Sequence, residues 1–261
     1  MIKQILLKTI NKLGYSIVKN SSIKKTILSK ELSYYTTKTG NYYLPTHAYN
    51  DVIKKAIIND EVFDKPIVEI ATKYIRKGST VLDVGSNFGQ MAILFSNITG
   101  EQGIVHAFDA DDFIFSILEK NISANKKENI IPHFGAVLDK LNETLYFPTQ
   151  DFERFETYGS YGLDYSNQKN GRPVNTLTID SLDIKGDISF IKIDVQGGDL
   201  FALKGAIETI KKHQMPIIFE YEYLFEEELN LNFQEYVDFV NEINYKFERV
   251  INGQNYLILP K

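Results

Sequence analysis

The sequence predicts an α/β domain in which a mostly parallel sheet is covered by helices on both faces. Apolar strand patterns alternate with helical patterns along most of the chain, an arrangement typical of parallel sheets. The C-terminal segment YKFERVINGQNYLILPK is predicted to form two β segments joined at Asn252-Gly253, a dipeptide that accepts the positive φ of a tight hairpin. Such a hairpin makes the last strand antiparallel to its partner.

The core strands are predicted by five apolar segments: VLDV (81–84), IVHAFD (104–109), NIIPHFGAVL (129–138), ISFIKIDV (188–195) and MPIIFEYEY (215–223). Helical spacing predicts helices at 88–98, 111–125, 197–212 and 233–244. Pro132 predicts an irregular or edge position for the third strand, because proline cannot donate to a sheet ladder. Two further strands, ETLYFP and PVNTLTI, lie on either side of the Gly/Tyr/Ser-rich segment YGSYGLDYSNQKNGR, and together they make up an insert at about 143–178.

The N-terminal part is predicted to precede the main domain, which spans 79–261. Residues 1–30 carry lysines around an apolar stripe and predict a basic amphipathic helix. Residues 31–78 form a cap region, with extended pieces up to residue 50 and then two short helices. Residues 1–27 could rest on an anionic membrane surface. They could instead pack on the domain or on a second subunit of a homo-oligomer, which we favour because Gly14 weakens a free-standing helix.

Composition excludes several classes of function. A net charge of −5 over 261 residues disfavours a nucleic-acid partner. Cysteine is absent, which removes disulfides, thiolate zinc sites and cysteine nucleophiles. No run of eighteen apolar residues is present, so no segment is predicted to span a membrane. The expected location is therefore the cytoplasm, with peripheral contact at the inner face of the membrane as the alternative that the N-terminal helix raises.

The glycine turn in VLDVGSNFGQ (81–90) predicts a ligand that approaches the backbone. A dinucleotide fingerprint needs a glycine two residues after Gly85, where Asn87 stands. The turn suits a ligand without a pyrophosphate, such as S-adenosyl-L-methionine (SAM). Asp109 closes the next strand, where a carboxylate can accept hydrogen bonds from both hydroxyls of a ribose. Asp83 could meet the ammonium of the methionine part, whereas in the opposing interpretation the glycines only permit strand–helix packing.

The chain resembles the FkbM family of SAM-dependent methyltransferases from about Gly40 to its C-terminus. The resemblance rests on VLDVGSNFGQ, VHAFDAD, TIDSL (178–182), FIKIDVQGGDLFALKGA and PIIFE, which ends at Glu220. It implies a Rossmann-like class I SAM methyltransferase fold, with a seven-stranded, mostly parallel sheet and one antiparallel strand from the C-terminal hairpin. The sequence departs from the family pattern at Gln196, where the family usually has Glu, and at Gly198-Asp199, where it has Ala-Glu.

The resemblance also implies the residues that contact SAM, or the product S-adenosyl-L-homocysteine (SAH). At the first turn these are Asp83, Gly85, Ser86, Asn87 and Gly89; at the ribose, Asp109 and Ala110; beside the adenine, Gly135 and Ala136.

Candidate catalytic residues are found at the carboxyl ends of the predicted strands, where the active sites of open α/β sheets lie. Asp194 and Glu220 end adjacent core strands, and either could take the proton from a hydroxyl nucleophile. Lys192 lies on the same side of its strand as Asp194 and could steady developing charge. Together the two acids could instead hold Mg²⁺, but no compact ligand cluster is visible and no metal site is assigned. Each of the three could also serve only as a structural ion pair or cap.

Function is expected to be O-methylation of a sugar hydroxyl, on a carbohydrate or glycolipid acceptor in bacterial surface polysaccharide biosynthesis (capsule or lipopolysaccharide). One alternative is methylation of a small secondary metabolite. Another, of a different class, is a SAM-fold binding or assembly protein without turnover, which the departures at Gln196 and Gly198 keep open.

Overall fold

The computed structural model describes residues 31–147, 157–160, 162–163 and 171–261. The helix predicted at residues 1–30 lies outside the described residues, and the proposed domain boundaries stay a prediction. The strands are β1 (Leu32–Thr37), β2 (Gly40–Pro45), β3 (Thr80–Val84), β4 (Ile104–Asp109), β5 (Ile130–Phe134), β6 (Ala136–Val137), β7 (Thr144–Phe147), β8 (Arg172–Leu177), β9 (Ile188–Ile193), β10 (Ile217–Glu220), β11 (Tyr245–Ile251) and β12 (Asn255–Pro260). The α-helices are α1 (Val52–Ile58), α2 (Lys65–Tyr74), α3 (Gln90–Thr99), α4 (Asp112–Ala124), α5 (Asp199–Lys204), α6 (Ile207–His213), α7 (Glu226–Leu229) and α8 (Phe233–Glu242).

The main sheet has seven strands in the order β11-β12-β10-β9-β3-β4-β5. Strands β10, β9, β3, β4 and β5 pair in parallel, whereas β12 is antiparallel to both of its neighbours. The antiparallel strand enters through the C-terminal hairpin, whose turn residues Asn252 and Gly253 have φ of 52° and 82°. This confirms the predicted Rossmann-like class I SAM methyltransferase sheet. Strand β5 is an edge strand, as Pro132 predicts.

Helices cover both faces of this sheet. Helices α2, α3 and α4 pack on one face, where Ile67, Phe95 and Ile117 belong to one buried apolar cluster. Helices α5, α6 and α8 pack on the other face, where Leu203 and Phe239 belong to a second cluster. Within the described ranges, no helix is long and apolar enough to cross a membrane.

The N-terminal part contributes a separate two-stranded antiparallel hairpin, β1–β2, followed by α1 and α2. Asp51 caps α1 by accepting a hydrogen bond from the backbone N–H of Lys54 (2.8 Å). Its second carboxylate oxygen accepts bonds from the Thr157 hydroxyl (3.1 Å) and from the backbone N–H of Tyr158 (2.7 Å). Asp51 therefore joins the start of α1 to the part of the predicted insert that contains Thr157 and Tyr158.

Two predicted elements are divided in the structure. The third strand, predicted at 129–138, breaks at Gly135, because β6 leaves the main sheet to join a three-stranded sheet with β7 and β8. The helix predicted at 197–212 is two helices separated by Gly205 and Ala206. A Cβ at Gly205 would lie 1.9 Å from the carbonyl oxygen of Leu138, so the break lets this backbone approach the end of β6.

Candidate active site

A cleft of about 270 Å³ opens at the carboxyl ends of β3, β4, β9 and β10. The N-terminal part supplies Phe63 and Asp64 to its lining, and the C-terminal hairpin supplies Asn252 and Asn255. The residues of the insert that are described next to the cleft are Phe147, Thr157–Ser160, Gly162 and Leu163. Because parallel strands end at a common edge, side chains distant in sequence meet in this cleft.

The structure brings most of the predicted site residues to this cleft. The predicted residues that line it are Gly85, Asn87, Asp109, Ala110, Gly135, Ala136, Asp194 and Glu220. The other four predicted residues, which lie behind the lining, are Asp83, Ser86, Gly89 and Lys192. Ser86 donates from its hydroxyl to the backbone oxygen of Asp83 (2.7 Å), and Gly89 precedes α3 with φ of 85°. Both residues shape the turn without lining the cleft.

Gly85 lets two strand ends approach each other. Its φ is 81°, and a Cβ there would lie only 1.8 Å from the backbone oxygen of Asp194. No side chain can be accommodated, since real Cβ atoms do not approach a backbone oxygen so closely. Asn87, the residue that interrupts the dinucleotide pattern, has φ of 49°, which asparagine tolerates better than most residues.

Asp109 is held in place by the glycine turn. Its Oδ2 accepts a hydrogen bond from the backbone N–H of Asn87 (2.9 Å), and its Oδ1 accepts one from the backbone N–H of Asp111 (3.0 Å). Each carboxylate oxygen has a further lone pair, so the two could still accept bonds from a ligand diol. Burial, with the nearby charge of Asp111, raises the pKa of Asp109 to about 7.

Lys192 occupies the centre of the buried charges behind the cleft. Its side chain is 5% exposed, and its Nζ lies 3.1 Å from Asp194 Oδ2 and 3.8 Å from Asp83 Oδ1. It also donates to the backbone oxygen of Gly85 (3.1 Å). Burial alone would lower the pKa of Lys192, but the Asp194 and Asp83 carboxylates raise it above its usual value. Lys192 therefore keeps its charge and holds Asp194 and the Gly85 turn in position; the prediction that it steadies developing charge stays untested.

Asp83 is fully buried, and neither of its carboxylate oxygens accepts a hydrogen bond from the described residues. Burial raises the pKa of this carboxyl, and the Lys192 ammonium opposes that rise. The predicted contact of Asp83 with a methionine ammonium stays untested, because its side chain does not line the cleft.

The pKa values of Asp194 and Glu220 are shifted in opposite directions. Burial alone would raise the pKa of Asp194, but Lys192 and the amide of Gln196 lower it below its usual value. Burial and the Asp194 charge raise the pKa of Glu220 far above its usual range. Nε2 of Gln196 donates to both acids, to Asp194 Oδ1 at 3.0 Å and to Glu220 Oε2 at 3.1 Å. Asp194 is therefore the ionised carboxylate of the pair.

Sequence reasoning missed four polar residues of this region: Gln196 as a donor, Asp199, Glu222 and Asn255. Asp199 is 1% exposed and accepts hydrogen bonds from the backbone N–H groups of Val195 (3.3 Å) and Glu220 (3.0 Å), thereby tying the ends of β9 and β10 together. Glu222 could have been found from its position two residues after Glu220. Asn255 could have been found only from the hairpin register, which pairs it with Glu220.

The described lining residues of the cleft include acidic side chains but no Lys, Arg or His. In the part of the chain that the structure describes, no group of three or more His, Asp or Glu side chains is arranged to hold a metal ion. A positively charged small molecule suits this environment better than an anion does.

A comparison with family models matches residues 83–247 to the Methyltransferase FkbM domain. The match includes the glycine turn, Asp109, the β9 block and Glu220, which together contribute much of the cleft lining.

Individual relatives are more distant. Ribosomal protein L11 methyltransferase of Alkaliphilus oremlandii (strain OhILAs) is 34% identical over 77 residues, which are 29% of this chain and 24% of that protein. The chain thus spans about a quarter of that relative's length. An FkbM methyltransferase of Methylobacillus flagellatus KT shares 16% identity and a TM-score of 0.48, over 74% of this chain and 50% of that one. Aeropyrum pernix fibrillarin, solved with natively bound SAM, shares 12% identity and a TM-score of 0.40, over 88% and 82%.

Replacing Lys192 tests its positioning role. Lys192→Met leaves Asp194 and Asp83 buried without their cation, so we expect the free energy of unfolding to fall by about 3–5 kcal/mol in urea denaturation. The matched control is Lys185→Met, which removes an exposed lysine paired with exposed Asp183 and should change stability by less than about 1 kcal/mol. Equal effects of the two substitutions would contradict the role assigned to Lys192.

The raised carboxyl pKa values predict that the ligand-free protein loses stability between pH 7 and pH 9. Burial raises the pKa of Asp109 to about 7 and that of Asp199 to about 8, and Glu220 is raised further. The folded state thus keeps protons that the unfolded chain releases near pH 4, so this contribution is full below pH 4 and falls as pH rises. The loss is nearly complete by about pH 7 for Asp109 and by about pH 8 for Asp199, and it continues to pH 9 through Glu220. We expect urea unfolding to show a loss on the order of 2 kcal/mol over this interval.

Glu220→Gln should flatten that pH dependence, because it removes a carboxyl whose pKa is raised far above its usual range. Glu248→Gln on exposed β11 should leave it unchanged. Stability that rose from pH 7 to pH 9 in the wild type would contradict the assigned directions.

Proposed function

The chain belongs to the FkbM methyltransferase family, and from that premise we propose that it transfers a methyl group from SAM to a sugar hydroxyl. The proposed acceptor is a carbohydrate or glycolipid of bacterial surface polysaccharide biosynthesis. The observation that carries the proposal is the joint position of Asp109 and Asp194, which line the same cleft on either side of the Gly85 turn. One acid is suited to a ribose and the other to a nucleophile.

Several features of the described lining suit SAM. Gly85 and Asn87 line the cleft at the turn, Asp109 retains lone pairs for the ribose hydroxyls, and Gly135 with Ala136 lines the cleft just after β5, where the adenine is expected. The acids of the cleft favour a positively charged methyl donor over an anionic cofactor. When bound, SAM supplies a methyl group on a positively charged sulfur, so that the C–S bond breaks as the new O–C bond forms.

Asp194 is the residue best suited to receive the hydroxyl proton. It is ionised at neutral pH, lines the cleft, and has a side chain that is 23% exposed. Its hydrogen bonds to Lys192 and Gln196 fix its orientation, which is the kind of positioning that methyl transfer requires. Glu220 holds a proton and so does not serve as the base. The hydroxyl proton passes to Asp194 as the bond to the methyl carbon forms.

SAH binding tests the cofactor assignment. We expect calorimetric titration to show SAH binding and no binding of NAD to the wild type, and Asp109→Ala to weaken SAH binding about tenfold or more, because two ribose hydrogen bonds are lost. The control is Asp139→Ala, an exposed acid outside the cleft lining. Folded protein that does not bind SAH would contradict the proposal.

Methyl transfer tests the base. Asp194→Asn keeps the side-chain shape but removes the acceptor for the proton, so we expect transfer from labelled SAM to fall about a hundredfold or more. SAH affinity should stay within about threefold of wild type, since Asn occupies the same space. SAH binding without transfer to any glycan by the wild type would instead favour a binding protein without turnover.

A further inference from the structure

Three side chains form a polar wall of the cleft around Glu220, and we call Gln196, Glu222 and Asn255 the oxygen wall. Asn255 lies opposite Glu220 in the β10–β12 pair. Gln196 donates to Glu220, and Glu222 follows Glu220 by two residues. The oxygen wall therefore gathers residues from the segments after β9 and β10 and from the start of β12.

Each residue of the oxygen wall has a buried oxygen that lacks a hydrogen-bond partner among the described residues: Gln196 Oε1, Glu222 Oε2 and Asn255 Oδ1. Asn255 is only 5% exposed as a whole residue, yet it lines the cleft. Buried oxygens in folded proteins nearly always have a donor. Three such acceptors on one wall indicate a site for a group that donates several hydrogen bonds.

Charge narrows the identity of that group. The described lining residues include six acids and no Lys, Arg or His; the acids are Asp64, Asp109, Asp111, Asp194, Glu220 and Glu222. Two of them form salt bridges with cationic side chains outside the lining: Asp111 with Arg172 and Asp194 with Lys192. Glu222 has no salt bridge to the described residues, and burial with the Asp194 charge raises its pKa to about 7. A ligand cation would supply the charge that favours the ionised form of Glu222.

We propose that the oxygen wall binds a protonated amine of the methyl acceptor, so that the acceptor is an amino-substituted carbohydrate. This inference rests on the proposed function, because it places the amine in the cleft where the hydroxyl would react.

The chemistry of an ammonium group matches the oxygen wall. An ammonium has three donors and no acceptor, whereas a sugar hydroxyl donates once and leaves the charge of Glu222 uncompensated. An acidic sugar would place its carboxylate among like charges, which costs binding free energy. A divalent metal would need more converging carboxylates than the described residues offer.

The test compares matched pairs of sugars that differ only in an amine: glucosamine with glucose, galactosamine with galactose, and mannosamine with mannose. Each is titrated calorimetrically at pH 7 into the full chain, with and without saturating SAH. We expect the amine form to bind at least about tenfold more tightly in at least one pair, because it forms a charge-assisted bond to Glu222.

Variants separate the oxygen wall from the rest of the cleft. Glu222→Gln keeps the side-chain shape and should reduce the amine preference to within about threefold, and Asn255→Ala should weaken binding of the amine form without affecting SAH. The matched control is Glu227→Gln on exposed α7, which should leave the preference unchanged. Urea unfolding of each variant establishes that it is folded.

The results also distinguish this inference from the proposed function. SAH binding with no amine preference in any pair overturns the oxygen wall as an amine site and leaves the methyltransferase proposal intact. Amine preference without SAH binding supports the site and contradicts the methyltransferase proposal. Loss of SAH affinity in Glu222→Gln as large as the loss of amine affinity would assign the wall to the cofactor, and tight binding of MgCl₂ would assign it to a metal.

Discussion

The buried ammonium of Lys192 is the interaction on which the geometry of the cleft depends. It joins the end of β3 to the end of β9, by donating to the Gly85 backbone and by pairing with Asp194. The strand ends can approach this closely only because Gly85 has no Cβ, which would overlap the Asp194 carbonyl. A buried lysine is stable here because Asp83 and Asp194 compensate its charge. Without Lys192, the negative charge of these acids would be uncompensated in a low-dielectric interior. The glycine turn and the end of β9 are thus held together by one set of buried charges.

The same ammonium determines which of the two acids at the strand ends is ionised. Asp194 forms a salt bridge with it and ionises. Glu220 keeps its proton because burial and the negative charge of Asp194 both raise its pKa. Two titrating groups whose environments separate their pKa values can take different roles in a reaction. Gln196 explains one departure from the family pattern in these terms, because its amide donates to both acids. A glutamate there would place a third carboxylate beside them.

The sequence predicted the sheet better than it predicted the outer half of the cleft. Strand–helix alternation and the Asn252-Gly253 turn report on local geometry, so the parallel core and the single antiparallel strand followed directly. Asp109 was found because its distance from the glycine turn is set by one strand–helix–strand unit. Asn255 was missed because its proximity to Glu220 depends on the register of β10 against β12, which no local pattern encodes. The helix break at Gly205 likewise reflects contact with Leu138, a residue distant in the sequence.

The acids that suit the cleft to cationic ligands also lower the folding stability of the ligand-free protein. Burial raises the pKa of Asp109 and of Glu222 to about 7, so the ionised forms that would serve binding are disfavoured until a cation arrives. A positively charged ligand reverses this balance by favouring the ionised carboxylates, and its binding free energy adds to the stability of the folded state. Ligand affinity and folding stability are therefore linked through the same carboxylates, most strongly above neutral pH, where the empty cleft would otherwise hold uncompensated negative charge.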